Sequence, residues 1–392
     1  MTAVPGAPAP HKRPVPNGVP APYAFPGPPA PRPPRASRAS LPSRPPVPRS
    51  AYDLSREELA EVLAGEPPYR VRQVWDGLHR RASRPEEMTE LPRLLRERLE
   101  DALPGALGEV ARRSADDGGT MKWLFELADG RRIETVLMAY PDRVTVCVST
   151  QAGCAMGCAF CATGQGGFER QLSTGEIVEQ VVAGMRAARP RRVSNVVFMG
   201  MGEPLANYER TWAAIERIHG DLGISARRLT LSTVGLVPGI RRLARATLPV
   251  NLAVSLHAAN DELRDRLVPM NRRYPLALLA EACAEYAAST GRRPSFEWAL
   301  IDGTNDRPSD MAELAELARP LGAHVNLIPL NPTPGYALRG SSARTVAEVR
   351  DTLVRLGVNA TVRATRGVEI EAACGQLAAG GAPPVVGSAR VR

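Results

Sequence analysis

The sequence predicts an α/β fold: a partial barrel of six β/α units, preceded by a small helical domain and a Pro-rich disordered tail. Three observations predict it. From residue 143 onward, short runs of β-branched and apolar residues alternate with stretches of helical periodicity. Polar and glycine-rich motifs follow those runs, as loops at one end of a parallel sheet do. Residues 1–49 hold 17 of the 37 prolines and almost no large apolar residues, too little to offset the entropy of ordering.

The tail also carries most of the charge imbalance. Lys12, Arg13, Arg32, Arg35, Arg38, Arg44 and Arg49 give the first 50 residues seven bases and no acid, while the rest balances 43 bases against 41 acids. The formal net charge of +9 therefore says little about the folded body. A solubilising extension and a weak, non-specific attractor of polyanions explain the tail equally well. Six cysteines are too few for a disulfide framework in 392 residues. No run of 18 apolar residues and no signal-peptide core appears, so a soluble, cytoplasmic protein with no membrane association is expected, and a monomer.

Residues 50–112 read as the helical domain. Ser55 and Glu58 stand at capping-box spacing, and Tyr69, Arg70, Arg72, Trp75, His79, Arg80 and Arg81 then interleave bases with aromatics. A charge-rich helix face is as a rule simply solvated, and an RNA-facing surface is the alternative. Residues 113–142 form a linker to the core, with two short strands around the Asp129-Gly130 turn; Glu134 interrupts the second.

The barrel spans 143–357. A strand beginning at Arg143 empties into the loop that follows it, Ser173 and Glu176 open a helix running to about residue 188, and further strands lie at 195–199, 228–232, 250–255, 294–301 and 324–329. Six units are two short of a closed eight-fold barrel, which leaves a lateral opening for a large substrate. Residues 358–392 form an extension with a terminal strand at 360–364, a lone cysteine, Cys374, and a frayed end beyond 378. Cys283, within a helical run, reads as core.

The chemistry concentrates in Cys154, Cys158 and Cys161, spaced CxxxCxxC in a loop of glycines and alanines. Three thiolates are one short of a closed zinc or iron–sulfur site. They suit a 4Fe–4S cluster with one iron left open to an outside ligand. A zinc site completed by a distant residue, or plain buried thiols, are the other readings; against zinc, no second CxxC or HxH pair is present and the five histidines are scattered.

With Phe160 just before the last cysteine, the loop resembles the signature of radical S-adenosylmethionine (SAM) enzymes, and the string QAGCAMGCAFCATGQGGF from Gln151 to Phe168 resembles the RlmN family of RNA adenine-C2 methyltransferases. Matches extend from about residue 52 to 377. The resemblance implies a radical-SAM barrel and an RNA-binding role for the helical domain. It implies that Gly202, Glu203, Ser232, Ser255, Leu256, His257 and Asn331 line the SAM pocket, with Gly202 and Glu203 at its amino-acid end. It further implies that Cys374, in ACGQL, carries a methyl group, that Cys147 is its redox partner in a transient disulfide, and that Glu134, in IETVL, is an acid/base carboxylate.

C2 of adenine lies between two ring nitrogens and will not attack the methyl of SAM as an amine would, so its methylation calls for a radical. By resemblance two SAM molecules are used per turnover, one to methylate Cys374 and one to yield the deoxyadenosyl radical. The implied substrates are adenosine 2503 of 23S rRNA and adenosine 37 of tRNA, and a flavodoxin- or ferredoxin-type reductant is the implied partner. Three rivals stay open: a C8-methylating relative, a methylthiotransferase (whose second cysteine triad this chain does not show), and a non-catalytic iron–sulfur RNA-binding or redox-sensing protein.

Overall fold

The computed structural model describes residues 50–115, 118–333, 337–363 and 366–377. The expected disorder of residues 1–49 and fraying beyond 378 lie outside the described residues. Among the described residues no helix is long and apolar enough to cross a membrane.

Three helices come first: α1 (Arg56–Val62), α2 (Tyr69–His79) and α3 (Arg93–Ala102). The expected capping box forms at Ser55, whose hydroxyl accepts the Glu58 N–H at 3.2 Å while the Glu58 carboxylate accepts the Ser55 N–H at 2.7 Å. Leu59, Val74, Trp75, Leu78, Leu95 and Leu99 form the buried face. The helices are mounted on the rest of the chain through side chains: Asp53 accepts from Gly175 N–H (2.6 Å) and Ser173 Oγ (2.9 Å), Trp75 Nε1 donates to Asp221 at 2.9 Å, and buried Glu179 accepts from Ser50 Oγ at 2.9 Å.

Antiparallel strands follow: β1 (Leu107–Ala115), β2 (Thr120–Leu127) and β3 (Arg132–Ala139). The sequence reading expected two of these and took the residues before 113 as helical. β1 is an edge strand with a bulge between Glu109 and Ala111 and mostly exposed side chains, so it lacks the period-two apolar signal by which strands are recognised.

Strand β4 (Val144–Cys147) runs antiparallel to β3 and begins the parallel set. A small hairpin, β5 (Gln151–Gly153) and β6 (Phe168–Gln171), brackets the cysteine loop and the short helix α4 (Ala162–Gly166). Then come α5 (Thr174–Ala187), β7 (Asn195–Phe198), α6 (Tyr208–Gly220), β8 (Leu229–Thr233), α7 (Val237–Ala244), β9 (Asn251–Ser255), α8 (Asp261–Leu267), α9 (Leu276–Thr290), β10 (Ser295–Leu300), α10 (Pro308–Ala318), β11 (His324–Pro329), α11 (Ala343–Arg355) and β12 (Asn359–Val362). Each strand expected from 195 to 329 lies within two residues of its observed bounds. The terminal strand pairs parallel with β11, so it closes the edge of the sheet.

Among the described residues one ten-stranded sheet results, ordered β1-β2-β3-β4-β7-β8-β9-β10-β11-β12, in which β4 and β7 to β12 are parallel. This is the partial barrel, extended at one edge by three antiparallel strands. Its core comes from strand residues such as Val146, Phe198, Leu231, Val254, Trp298 and Leu327, all nearly inaccessible. Helix α5 approaches β4 so closely that a Cβ on Gly184 would lie 2.5 Å from a Val146 methyl. Cys283 on α9 is fully buried, as expected of core.

Candidate active site

The C-terminal ends of the parallel strands open into one cleft, and most of the sequence-predicted site residues meet there. Cys154, Cys158 and Cys161 form one wall; Gly202 and Glu203 follow β7, Ser232 is the penultimate residue of β8, Ser255 ends β9 and His257 follows it, Asn331 follows β11, and Cys374 reaches in from the C-terminal segment. Leu256 does not line it: its side chain is fully buried, and its backbone shapes the loop by donating to Glu297 O and accepting from Arg264 Nε, each at 3.0 Å.

The cysteine loop is held by tight backbone geometry. Gly153 has φ +71°, and a Cβ there would overlap the Gly167 carbonyl oxygen, so β5 and β6 meet only because this residue is glycine. Burial pushes the Cys154 thiol up to about 12 and Cys158 well above the usual range, and each feels the other thiols of the loop. Buried thiols that repel one another's charge become thiolates where a cation compensates them. Among the described residues no three His, Cys, Asp or Glu side chains converge on one point, as a single ion demands. Cys154, Cys158 and Cys161 all line the open cleft, where as thiolates they would hold a 4Fe–4S cluster.

Glu203 is fully buried and accepts backbone N–H bonds from Leu205 at 3.0 Å and Val234 at 2.9 Å. Burial pushes its carboxyl up to about 7, against the lowering effect of those bonds. A cationic ligand at that point would favour the carboxylate. Gly202, with φ +103°, presses against Gln151, whose Oε1 accepts the Glu203 N–H at 2.8 Å. His257 also has a left-handed backbone, φ +60°. Its Nδ1 accepts the Ala299 N–H at 2.9 Å, which leaves the remaining proton on Nε2, and its ring meets Phe160 edge-on at 4.6 Å. Burial and the Arg264 charge pull its pKa down to about 3, so the ring is neutral.

Beside the main cleft lies a small cavity lined by Cys147, Cys374, Val136, Met138 and Arg363 among others. Cys147 ends β4 and is buried, which pushes its thiol up to about 12; Cys374 is exposed. The Cys374 segment is tied down from both sides: Asn331 Nδ2 donates to its carbonyl at 3.1 Å, Ala162 N–H to that of Gly375 at 2.8 Å, and Thr163 Oγ1 to that of Leu377 at 2.6 Å. Glu134 lies apart from the cleft. It is buried on β3 and paired with Lys122 Nζ at 3.0 Å. Arg363, which lines both cavities, and buried Arg264, which donates to the Ser255, Leu256 and Val234 carbonyls, were not singled out from the sequence. A lone arginine carries no signal of burial in the sequence.

Comparison with known proteins agrees with this geometry. Residues 148–318 match the model of the Radical SAM superfamily, which implies a 4Fe–4S cluster and SAM. A protein of Chloroflexus aurantiacus, named a probable dual-specificity RNA methyltransferase RlmN, is 52% identical over 84% of this chain and 93% of its own. A namesake from Salinispora tropica is 52% identical over 86% of this chain and 95% of its own. The crystal structure of a radical SAM methyltransferase from Sphaerobacter thermophilus is 51% identical, superposes with a TM-score of 0.82, and covers 85% of this chain and all of that one. A partial radical-SAM barrel, a cysteine-walled cleft and relatives at half identity along most of the chain lead to one assignment: the protein belongs to the RlmN family of radical-SAM RNA methyltransferases.

Proposed function

We propose that the protein methylates C2 of adenosine 2503 in 23S rRNA and of adenosine 37 in tRNA, through an S-methyl group on Cys374 and a transient Cys147–Cys374 disulfide. The observation that carries this reading is the shared cavity of Cys147 and Cys374, which adjoins the cleft walled by Cys154, Cys158 and Cys161. Two thiols that must form one disulfide need one space, and a methyl carrier needs access to the cleft where SAM would sit.

A 4Fe–4S cluster on the three loop cysteines would supply the electron that cleaves SAM. The chain's own residues do the rest. Gly202 and Glu203 hold the amino-acid end of SAM, and Ser232, Ser255, His257 and Asn331 line its pocket. Cys374 as thiolate takes a methyl from one SAM by displacement, and a second SAM activates that methyl group for addition to C2. Glu134 takes part in moving the C2 proton, and the Cys147 thiolate then attacks the Cys374 sulfur, so that methylated RNA leaves and a disulfide remains. A flavodoxin- or ferredoxin-type donor resets it. The target base must be splayed out of folded RNA to reach the cleft.

The test is anaerobic reconstitution with protein-free rRNA, SAM and a reductant, followed by nucleoside mass spectrometry. 2-Methyladenosine is expected. 8-Methyladenosine, or no methylated adenosine, would overturn the assignment.

A further inference from the structure

The three antiparallel strands carry more than a connection between domains. Cross-strand pairing sets Arg113 opposite Lys122, Lys122 opposite Val136, and Val136 opposite Cys147. Residues directly opposite in an antiparallel pair share a face, so these four side chains form one row across β1 to β4. Glu134 is two residues from Val136 and stands on the same face. The C-terminal segment lies across this row. Arg366 Nη1 donates to the Ala139 carbonyl at 3.1 Å, and a Cβ on Gly367 would lie 2.9 Å from the Thr120 methyl. Arg113 comes within 3.8 Å of the Glu371 carboxylate, and Cys374 shares its cavity with Cys147.

Lys122 sits at the centre of this arrangement. Its ammonium, with a side chain only 7% exposed, is 3.0 Å from the Glu134 carboxylate and donates to the Glu371 carbonyl at 3.1 Å. Glu371 is a non-glycine residue with φ +55°, at a turn three positions before Cys374. A buried carboxylate keeps its charge only where a cation compensates it. One lysine thus faces two carboxylates, Glu134 at 3.0 Å and the more exposed Glu371 at 4.0 Å, and grips the backbone of the carrier segment at a strained turn.

We propose that Lys122 is a positioning residue for the methyl-transfer reaction, holding the Glu134 carboxylate and the Cys374 segment in one fixed relation. This rests on the reading of Glu134 and Cys374 given above. Losing Lys122 should leave the displacement that methylates Cys374 intact and slow the later step, in which the proton leaves C2. The RNA–Cys374 adduct should then persist, because Cys147 resolves it only after that proton has gone.

The test uses the full-length reconstituted enzyme with Lys122→Met, Lys122→Arg, Glu134→Gln and the Lys122→Met/Glu134→Gln pair. Melting temperature and iron content serve as folding controls. For Lys122→Met we expect an S-methyl mass on Cys374 as in the wild type, single-turnover product formation slowed at least tenfold, and a persistent adduct on denaturing gels. The low-pH limb of the rate profile should move to higher pH, since removing a cation makes a carboxylate easier to protonate. Lys122→Arg should restore part of the rate. In the Glu134→Gln background the Lys122 change should cost less than twofold more, because the two act as a unit.

Full additivity of the two substitutions, or a Lys122→Met enzyme with wild-type rate and pH profile, overturns the proposal. Should Lys122→Met fail to fold, Lys122→Gln, which also removes the charge, takes its place in the same assays, and a wild-type rate and pH profile there overturns the proposal. Failure of the underlying reading is separable: a wild-type enzyme that turns over without an S-methyl mass on Cys374 would condemn that reading whatever Lys122 does.

Discussion

Gly202→Ala tests the proposed SAM end of the cleft most directly. With φ +103° the residue lies where an L side chain is strained, which costs about 1–3 kcal/mol. The added Cβ would stand 2.5 Å from Gln151 Cβ, 2.6 Å from its Cγ and 2.8 Å from its backbone N. Overpacking of that kind costs about 1–3 kcal/mol more where neighbours can shift. Gln151 has little room, being 1% exposed, and its amide is committed at both ends: Oε1 accepts the Glu203 N–H at 2.8 Å and Nε2 donates to Gln171 at 2.9 Å. If it yields, the Glu203 backbone loses its partner and the carboxylate moves. One charged hydrogen bond to the SAM ammonium is worth about 1.5–3 kcal/mol, or roughly 10- to 150-fold in Kd. The assay is anaerobic equilibrium dialysis of labelled SAM beside thermal melts, with Gly220→Ala as control, since a Cβ there meets nothing within 4 Å. Gly202→Ala is expected to bind SAM at least tenfold more weakly and to melt several degrees lower. A variant matching Gly220→Ala in both would refute the reasoning.

Two further outcomes are expected. Cys374→Ala should retain the cluster spectrum and RNA binding yet form no methylated base, whereas Cys147→Ala should methylate Cys374 and stall as a covalent protein–RNA adduct visible on denaturing gels; turnover by Cys374→Ala would refute the carrier role of that cysteine. The third concerns His79, which is fully buried, stacked on Trp75 at 4.1 Å and lowered from 6.5 to about 4 chiefly by burial. Between those two values the unfolded chain binds the extra proton, so stability is intact above about pH 6.5 and falls as pH drops toward 4, by about 3 kcal/mol in total. Subtracting the urea-denaturation profile of His79→Phe isolates this contribution, and a pH-independent difference would disprove it.

The parallel strands from β7 to β11 were legible because each carries a short apolar or β-branched run with a glycine or polar turn at its end. The cysteine loop was legible from spacing alone, and the capping boxes at Ser55 and Ser173 formed as read. β1 was not legible, because an exposed, bulged edge strand selects no apolar alternation. Nor was Leu256, whose side chain faces the core while its neighbours face the cleft; a motif names a stretch of chain and not the direction of each side chain. Lys122 left a faint mark, one of two charges (with Glu126) in a largely apolar strand, but its meaning depends on Glu134 from the next strand and Glu371 from 249 residues away. Pairings of that range appear only when the chain has folded.

The latch between the helical domain and the barrel has a consequence for substrate choice. Asp53, just ahead of α1, accepts from the Ser173 hydroxyl that caps α5 and from the Gly175 N–H in that helix's first turn, so α1 to α3 cannot swing without uncapping a helix that packs directly on β4. Were those helices to hold the RNA, as the resemblance implies, grip and reactive base would stand a fixed span apart. The proposed rRNA and tRNA substrates would then qualify by that span rather than by shared sequence.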